Sequence, residues 1–373
     1  MLLIFLSSGL FLGWSLGAND AANIFGTAVG TKMVRFKTAA LICGVFVILG
    51  AVIAGAGATE TLGELGAVNA IAGSFMVALS AGFTIFWMTK LKLPVSTSQA
   101  IVGAIVGWNF FTGSPTDYSV LSKIVLTWIA CPVLAAVFSM LIFALFKVIL
   151  NGMRIHLLRI DLFNRTGLIL VGAFGAFSLG ANNIANVMGV FVPVAPFDEI
   201  RLFDMMSLSG AQQLFLLGGI AIALGVYTYS RRVMETVGGS LLKLSPQAAL
   251  VVVLSQALVL FLFASQQLES WLMAHNLPTI PLVPVSSSQA VIGAVIGIGL
   301  LKGGRGIRYK VLGSIATGWI TTPIIAGIIT FISLFFLQNV FQQEVSRKVA
   351  TQITKPAIMQ IEKERYIHTV LDR

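Results

Sequence analysis

The stretch LGANDAANIFGTAVG, Leu16 to Gly30, sets one carboxylate, Asp20, among asparagines in a long apolar run. A charge in hydrocarbon is expensive and marks an ion or proton pathway. A small hard cation takes oxygen ligands, and Asn19, Asp20 and Asn23 offer a carboxylate and two amide oxygens. A near copy follows at Leu179 to Pro193, LGANNIANVMGVFVP, which shares eight of fifteen positions and carries Asn182, Asn183 and Asn186 without the charge. The chemistry these six residues fit is a sodium site in each copy, with a proton on Asp20 as the rival. The competing view is that asparagines beside a helix break only satisfy freed backbone groups.

A second duplicated motif suits an anion. PVSTSQAIVGAIVG, Pro94 to Gly107, and PVSSSQAVIGAVIG, Pro284 to Gly297, share nine of fourteen positions. In each, the proline stops the preceding chain and a hydroxyl caps a new half-helix. Ser96, Thr97 or Ser98 serves the first copy, and Ser286, Ser287 or Ser288 the second. The N–H groups and dipole at such a helix start favour an oxyanion, and Gln99 and Gln289 add amide donors. A lone hydroxyl in a membrane helix ordinarily bonds back to its own turn; a three-hydroxyl run duplicated after proline argues for more. The glycines nearby, Gly26, Gly103, Gly107, Gly189, Gly293 and Gly297, read as notches for helix packing.

The elements that must position these residues are membrane helices. Of 373 residues 57% are hydrophobic and 10% charged, and a bilayer core about 30 Å thick takes roughly 20 apolar residues per helical crossing. Ten stretches qualify or come close: Leu2 to Val29, Thr38 to Ala58, Gly66 to Thr89, Pro94 to Phe111, Leu121 to Phe146, Thr166 to Val194, Ser209 to Tyr229, Pro246 to Met273, Pro281 to Leu301 and Val311 to Leu337. The first and sixth are long and carry a polar break, so each is expected to be two half-helices. Pro132 and Pro323 are expected to kink the fifth and tenth.

Charge sits in the connections. Odd connections are basic (Lys32, Arg35 and Lys37 in the first) and even ones acidic (Glu60 and Glu64 in the second). The positive-inside rule then places both termini on the outer face of the cell's inner, plasma membrane. The net charge of +10 is spread over these connections, which fits topology and lipid rather than nucleic acid. The tail from Phe341 reads as an amphipathic surface helix. Cys43 and Cys131 lie in apolar stretches as packing residues, and the three histidines are scattered, so neither a transition-metal site nor a cofactor is expected.

The paired motifs, with Trp128 and Pro132 matched by Trp319 and Pro323, divide the chain into two repeats. Each holds an odd number of alternations, so the second is inverted. The expected fold is an all-α polytopic membrane protein of two inverted-topology repeats, with broken or re-entrant helices meeting at the midplane. Residues 1–146 form the first repeat, 147–165 a cytoplasmic basic connection, 166–340 the second repeat and 341–373 a polar C-terminal tail.

GANDAANIFGTAVG with its second, degenerate copy, together with the paired PVS(T/S)SQA segments, resembles the inorganic phosphate transporter (PiT) family from about Gly13 to Pro323. The resemblance implies symport of inorganic phosphate with a cation: sodium in some members, protons or metal–phosphate complexes in others. The family pattern carries aspartate in both copies, whereas here the second is Asn183. The expected partners are therefore phosphate, sodium ions or protons as co-substrate, and the lipid bilayer; small-residue helix faces leave room for a homodimer. Sulfate is the strongest competing substrate, being tetrahedral too, and a proton-coupled phosphate or sulfate permease is the nearest alternative. A channel would favour a polar stripe along a pore, and an enzyme needs paired acids, a nucleophile or metal ligands at depth; neither pattern is present in the sequence.

Overall fold

The computed structural model describes residues 2–66, 68–91, 95–152, 156–202, 206–237, 244–304 and 309–347. Pro94, at the head of the first hydroxyl motif, and the tail beyond Arg347 lie outside these residues. All ten apolar stretches contain helix: α1 Leu2–Gly30, α2 Phe36–Ala54, α4 Ile71–Lys90, α5 Thr97–Thr112, α6 Tyr118–Gly152, α7 Leu157–Met188, α8 Gly210–Thr228, α10 Pro246–Leu262 with α11 Gln266–Ala274, α12 Ser287–Leu301 and α13 Tyr309–Asn339. Two short helices, α3 Ala56–Leu65 and α9 Ser230–Val237, lie in connections. A small antiparallel hairpin, β1 Ile200–Leu202 with β2 Met206–Leu208, is the one described departure from an all-helical fold.

Among the described residues seven helices are long and apolar enough to cross a membrane, and α10 with α11 makes an eighth, bent by 65°. α6 and α13 leave Leu126, Ile129, Val133, Ile320, Ile324 and Ile328 exposed along their length. Apolar faces of that extent belong against lipid. The protein is an all-α polytopic integral membrane protein.

The structure corrects the expectation for the first and sixth stretches. α1 and α7 run unbroken through the Asn-rich motifs, so no backbone carbonyls are released there. The glycines before the motifs serve close packing instead. A Cβ on Gly17 would lie 1.9 Å from the carbonyl oxygen of Ile222 in α8, and one on Gly180 would lie 2.1 Å from that of Val47 in α2. Backbone meets backbone at both, with no room for a side chain. The polar side chains, in turn, find partners on other helices, so the helix need not unwind to satisfy them. Pro132 and Pro323 lie inside helices that run on past them.

The short helices pack in an exchanged pattern. α5 lies against α13 and α12 against α6, just as α1 lies against α8 and α7 against α2. A Cβ on Gly103 would meet the carbonyl of Pro323 at 2.1 Å, and one on Gly293 that of Pro132 at 2.1 Å. Gly107 and Gly297 are equally tight, whereas Gly26 and Gly189 have only ordinary contacts, so the packing role fails for those two.

Some connections of like charge meet one another. Arg231, after α8, lies over the ring of Phe36, beside Arg35 and Lys37, and Lys302 lies near Phe143 toward the end of α6. Gly57 of α3, the helix of Glu60 and Glu64, packs near Gln266 of α11, the helix of Glu269. Helix α6 runs on to Gly152 and α7 begins at Leu157, so most of the expected 147–165 connection is helical. Residues 341–347 are not helical but fold back as a strap: Asn69 Nδ2 donates to the Arg347 carbonyl, the Arg347 N–H to Asn69 Oδ1, and Trp108 Nε1 to the Val345 carbonyl at 2.9 Å.

Candidate functional site

Asp20 is the only charged residue buried among the described residues. Its carboxylate is held on both oxygens: Ser287 Oγ donates to Oδ2 at 2.8 Å and Asn19 Nδ2 to Oδ1 at 3.0 Å. Asn23, one turn along α1, donates through Nδ2 to Ser287 Oγ at 3.2 Å. The first Asn/Asp motif thus meets the second hydroxyl run, 264 and 267 residues away in sequence.

The mirror meeting is less regular. Asn186 Nδ2 donates to Ser98 Oγ and to Asn183 Oδ1, both at 2.9 Å, while Asn183 Nδ2 bonds back to the Leu179 carbonyl at 3.2 Å. Asn182 departs from its counterpart Asn19. Its Nδ2 donates to the Val285 carbonyl at 2.7 Å and its Oδ1 accepts the Val285 N–H at 3.0 Å. Ser98 Oγ also donates to the Val285 carbonyl, at 3.0 Å. Asn182 therefore clamps the extended backbone that leads into α12, with both of its amide atoms engaged.

The hydroxyl runs do start helices. Ser96 caps α5 by accepting the Gln99 N–H at 3.4 Å, and Ser286 caps α12 by accepting the Gln289 N–H at 3.3 Å, with Ser288 Oγ 3.0 Å from Ser286 Oγ. Capping settles the third N–H of each helix, and the first N–H groups, on Thr97 and Ser98 and on Ser287 and Ser288, have no partner within the helix. Five buried side-chain atoms among these motifs lack a protein partner: Thr27 Oγ1, Thr97 Oγ1, Gln99 Oε1, Gln289 Oε1 and Asn186 Oδ1. Buried polar atoms are nearly always paired, and the protein's own hydrogen bonds leave these without a partner.

The fourteen residues expected from sequence thus fall into two hydrogen-bonded sets, one around Asp20 and Ser287 and one around Ser98, Asn186 and Val285, or stand at the helix starts beside them, and the chain from Val285 to Ser287 joins the two sets. Sequence reasoning missed the Val285 backbone and Gln256 in α10, which is fully buried with neither amide atom paired. The signal was present: VALSAGFTIF, Val77 to Phe86, parallels VVLSQALVLF, Val252 to Phe261, with Ala81 where the second copy has Gln256. A cavity of about 520 Å³ between α6 and the α10–α11 elbow is lined mainly by apolar side chains such as Leu126, Ala130, Leu134 and Phe263, and includes none of these residues.

A bundle of membrane helices with a duplicated polar centre and one buried carboxylate is the arrangement a membrane transporter needs. Comparison with known proteins supplies the family. The family model for the phosphate transporter family matches residues 16–163, 153–269 and 270–371, and the chain belongs to that family. A relative in Pyrococcus horikoshii that bears a provisional phosphate-permease name is 29% identical, over 86% of this chain and 94% of its own. The sulfate permease CysP of Bacillus subtilis is also 29% identical, over 87% and 86%. A solved structure of the sodium-dependent phosphate transporter shares the fold, with a TM-score of 0.74 at 23% identity over 90% of this chain and 98% of that one.

Proposed function

We propose that this protein imports inorganic phosphate across the plasma membrane by symport with sodium. One observation carries the reading: two capped helix starts with unpaired buried polar atoms meet at the segment from Val285 to Ser287, which takes a bond from Ser98 at one end and gives one to the buried carboxylate of Asp20 at the other. In this reading phosphate lies between the starts of α5 and α12, held by N–H groups and by Ser96, Thr97, Ser98, Gln99, Ser286, Ser287, Ser288 and Gln289. Sodium binds at Asn19, Asp20 and Asn23, and a second ion at Asn183 and Asn186, with Asn182 holding the frame.

Electrostatics favour this division. Carrying a dianion inward against 100 mV costs about 4.6 kcal/mol, at about 2.3 per charge. Two sodium ions cancel that cost. With Asp20 the loaded site sums to one negative charge, of the size two helix N-termini offset at about half a charge each.

The repeats, 1–146 and 166–340, are proposed to be inverted, with α5 and α12 as the helical halves of broken crossings and the termini outside. The exchanged packing of α5 on α13 and α12 on α6 supports this, as do the matched glycine contacts. Alternating access is then movement of the motif-bearing helices against the others.

The sulfate permease relative favours a second reading, sulfate import through the same cradle. Phosphate differs in carrying a proton it can donate to a buried acceptor such as Asp20. Equilibrium binding of labelled phosphate to purified protein, in sodium or choline with excess sulfate as competitor, tests the proposal. Tight binding only in sodium and unmoved by sulfate is expected; displacement by sulfate, or equal binding in choline, contradicts it.

A further inference from the structure

The structure assigns Gln256 to the cation site of Asp20, as a ligand from a third helix whose counterpart in the other repeat carries alanine at that position. The assignment rests on the sodium-symport reading above. Gln256 is 0% exposed, and among the described residues it alone leaves both atoms of a side-chain amide buried without a partner. An unpaired amide in a low-dielectric interior is costly, and its neighbour Ser255 meets its own need by bonding back to Val251 at 2.7 Å. Helix geometry says where Gln256 points. The half-buried Leu254 and Leu258 stand two positions before and after it, each about 200° around the helix. Gln256 thus faces the interior, where α10 packs against α7, α12 and α6 and, less extensively, α1.

The depth is fixed by Gly175. A Cβ there would touch Ile24 at 3.2 Å and Ala257 at 3.6 Å, so Ile24 and Ala257 stand side by side. Asn23 precedes Ile24 and Asp20 lies one turn away, about 6 Å along α1; Gln256 precedes Ala257. A glutamine reaching inward at this level comes to the oxygen-bearing side of Asp20, Asn23 and Ser287. The free N–H groups of α12 point out of its end, while α10 lies along its side, so the amide oxygen suits the cation rather than the anion. In the first repeat the matching position is Ala81, which offers no ligand. The repeats would then differ twice in the same sense, by carboxylate and by amide, making the Asp20 site the stronger one.

The test is the sodium concentration that half-saturates phosphate binding to purified full-length protein. Gln256→Met, of similar length without the amide, should raise it at least tenfold while phosphate affinity at saturating sodium stays within twofold. Without sodium, Q256M should melt at the same or a higher temperature, since it removes an unpaired buried amide. Gln256→Glu, which keeps the oxygen and adds charge, should hold or lower the sodium requirement. A Q256M protein with wild-type sodium dependence, equal impairment of both variants, or a change confined to phosphate affinity overturns the assignment. If wild-type binding ignores sodium altogether, the symport reading itself fails, and the assignment with it.

Discussion

Asn182→Ala removes a clamp that holds the entry to α12 rather than a ligand. The substitution deletes two hydrogen bonds, of 2.7 and 3.0 Å, to one residue's backbone. The Val285 carbonyl keeps Ser98 as a donor, so loss of the first bond costs about 0.5–1.5 kcal/mol. The Val285 N–H is left buried and unpaired, which adds about 1–3 kcal/mol. The sum, about 1.5–4.5 kcal/mol, falls on the segment that places Ser286 to Ser288. If half of it is felt at the anion, phosphate affinity falls roughly threefold to fortyfold, at 1.4 kcal/mol per tenfold. Asn19→Ala, at the matching position, loses a bond to the Asp20 carboxylate instead and should shift the sodium dependence first. Equilibrium phosphate binding across a sodium series separates the two. If N182A leaves phosphate affinity within twofold of wild type, or if both variants alter the same constant, the clamp reasoning is refuted.

Asp20→Asn should abolish concentrative uptake with little loss of folded protein, measured as uptake and as size-exclusion profile; wild-type uptake by a folded mutant would refute the cation role. Gly17→Ala should lower thermal stability by about 1–3 kcal/mol or more through overpacking, because its methyl would lie 1.9 Å from a backbone oxygen; Gly63→Ala, with open space around it, is the neutral control, and equal melting of the two would contradict the packing role. Single cysteines at the exposed positions Glu60 and Lys90, in a background lacking Cys43 and Cys131, should react with an impermeant reagent from opposite faces; labelling of both from one face would refute the alternation.

The sequence made the spans and the duplicated motifs legible because hydrophobic length and repetition are local signals. All ten stretches hold helices, and both hydroxyl runs cap where the proline pattern placed them. It misled at α1 and α7, where glycine and asparagine read as a break. The partners that keep those helices intact, Ser287 for Asp20 and Ile222 for Gly17, lie more than 200 residues on, and no local pattern announces them. The same holds for Asn182 and Val285, 103 residues apart: symmetry of sequence suggested a second ligand set, while the folded backbone turned one member into a clamp. Gln256 escaped notice because its repeat partner is alanine and it lies outside both motifs.

The account turns on what drives which anion. Labelled phosphate uptake into liposomes, with a sodium gradient and a proton gradient imposed separately and excess sulfate added to each, tests both at once. Accumulation driven by sodium, insensitive to the proton gradient and to sulfate, is the predicted result. Accumulation driven by protons alone, or abolished by sulfate, would contradict the account.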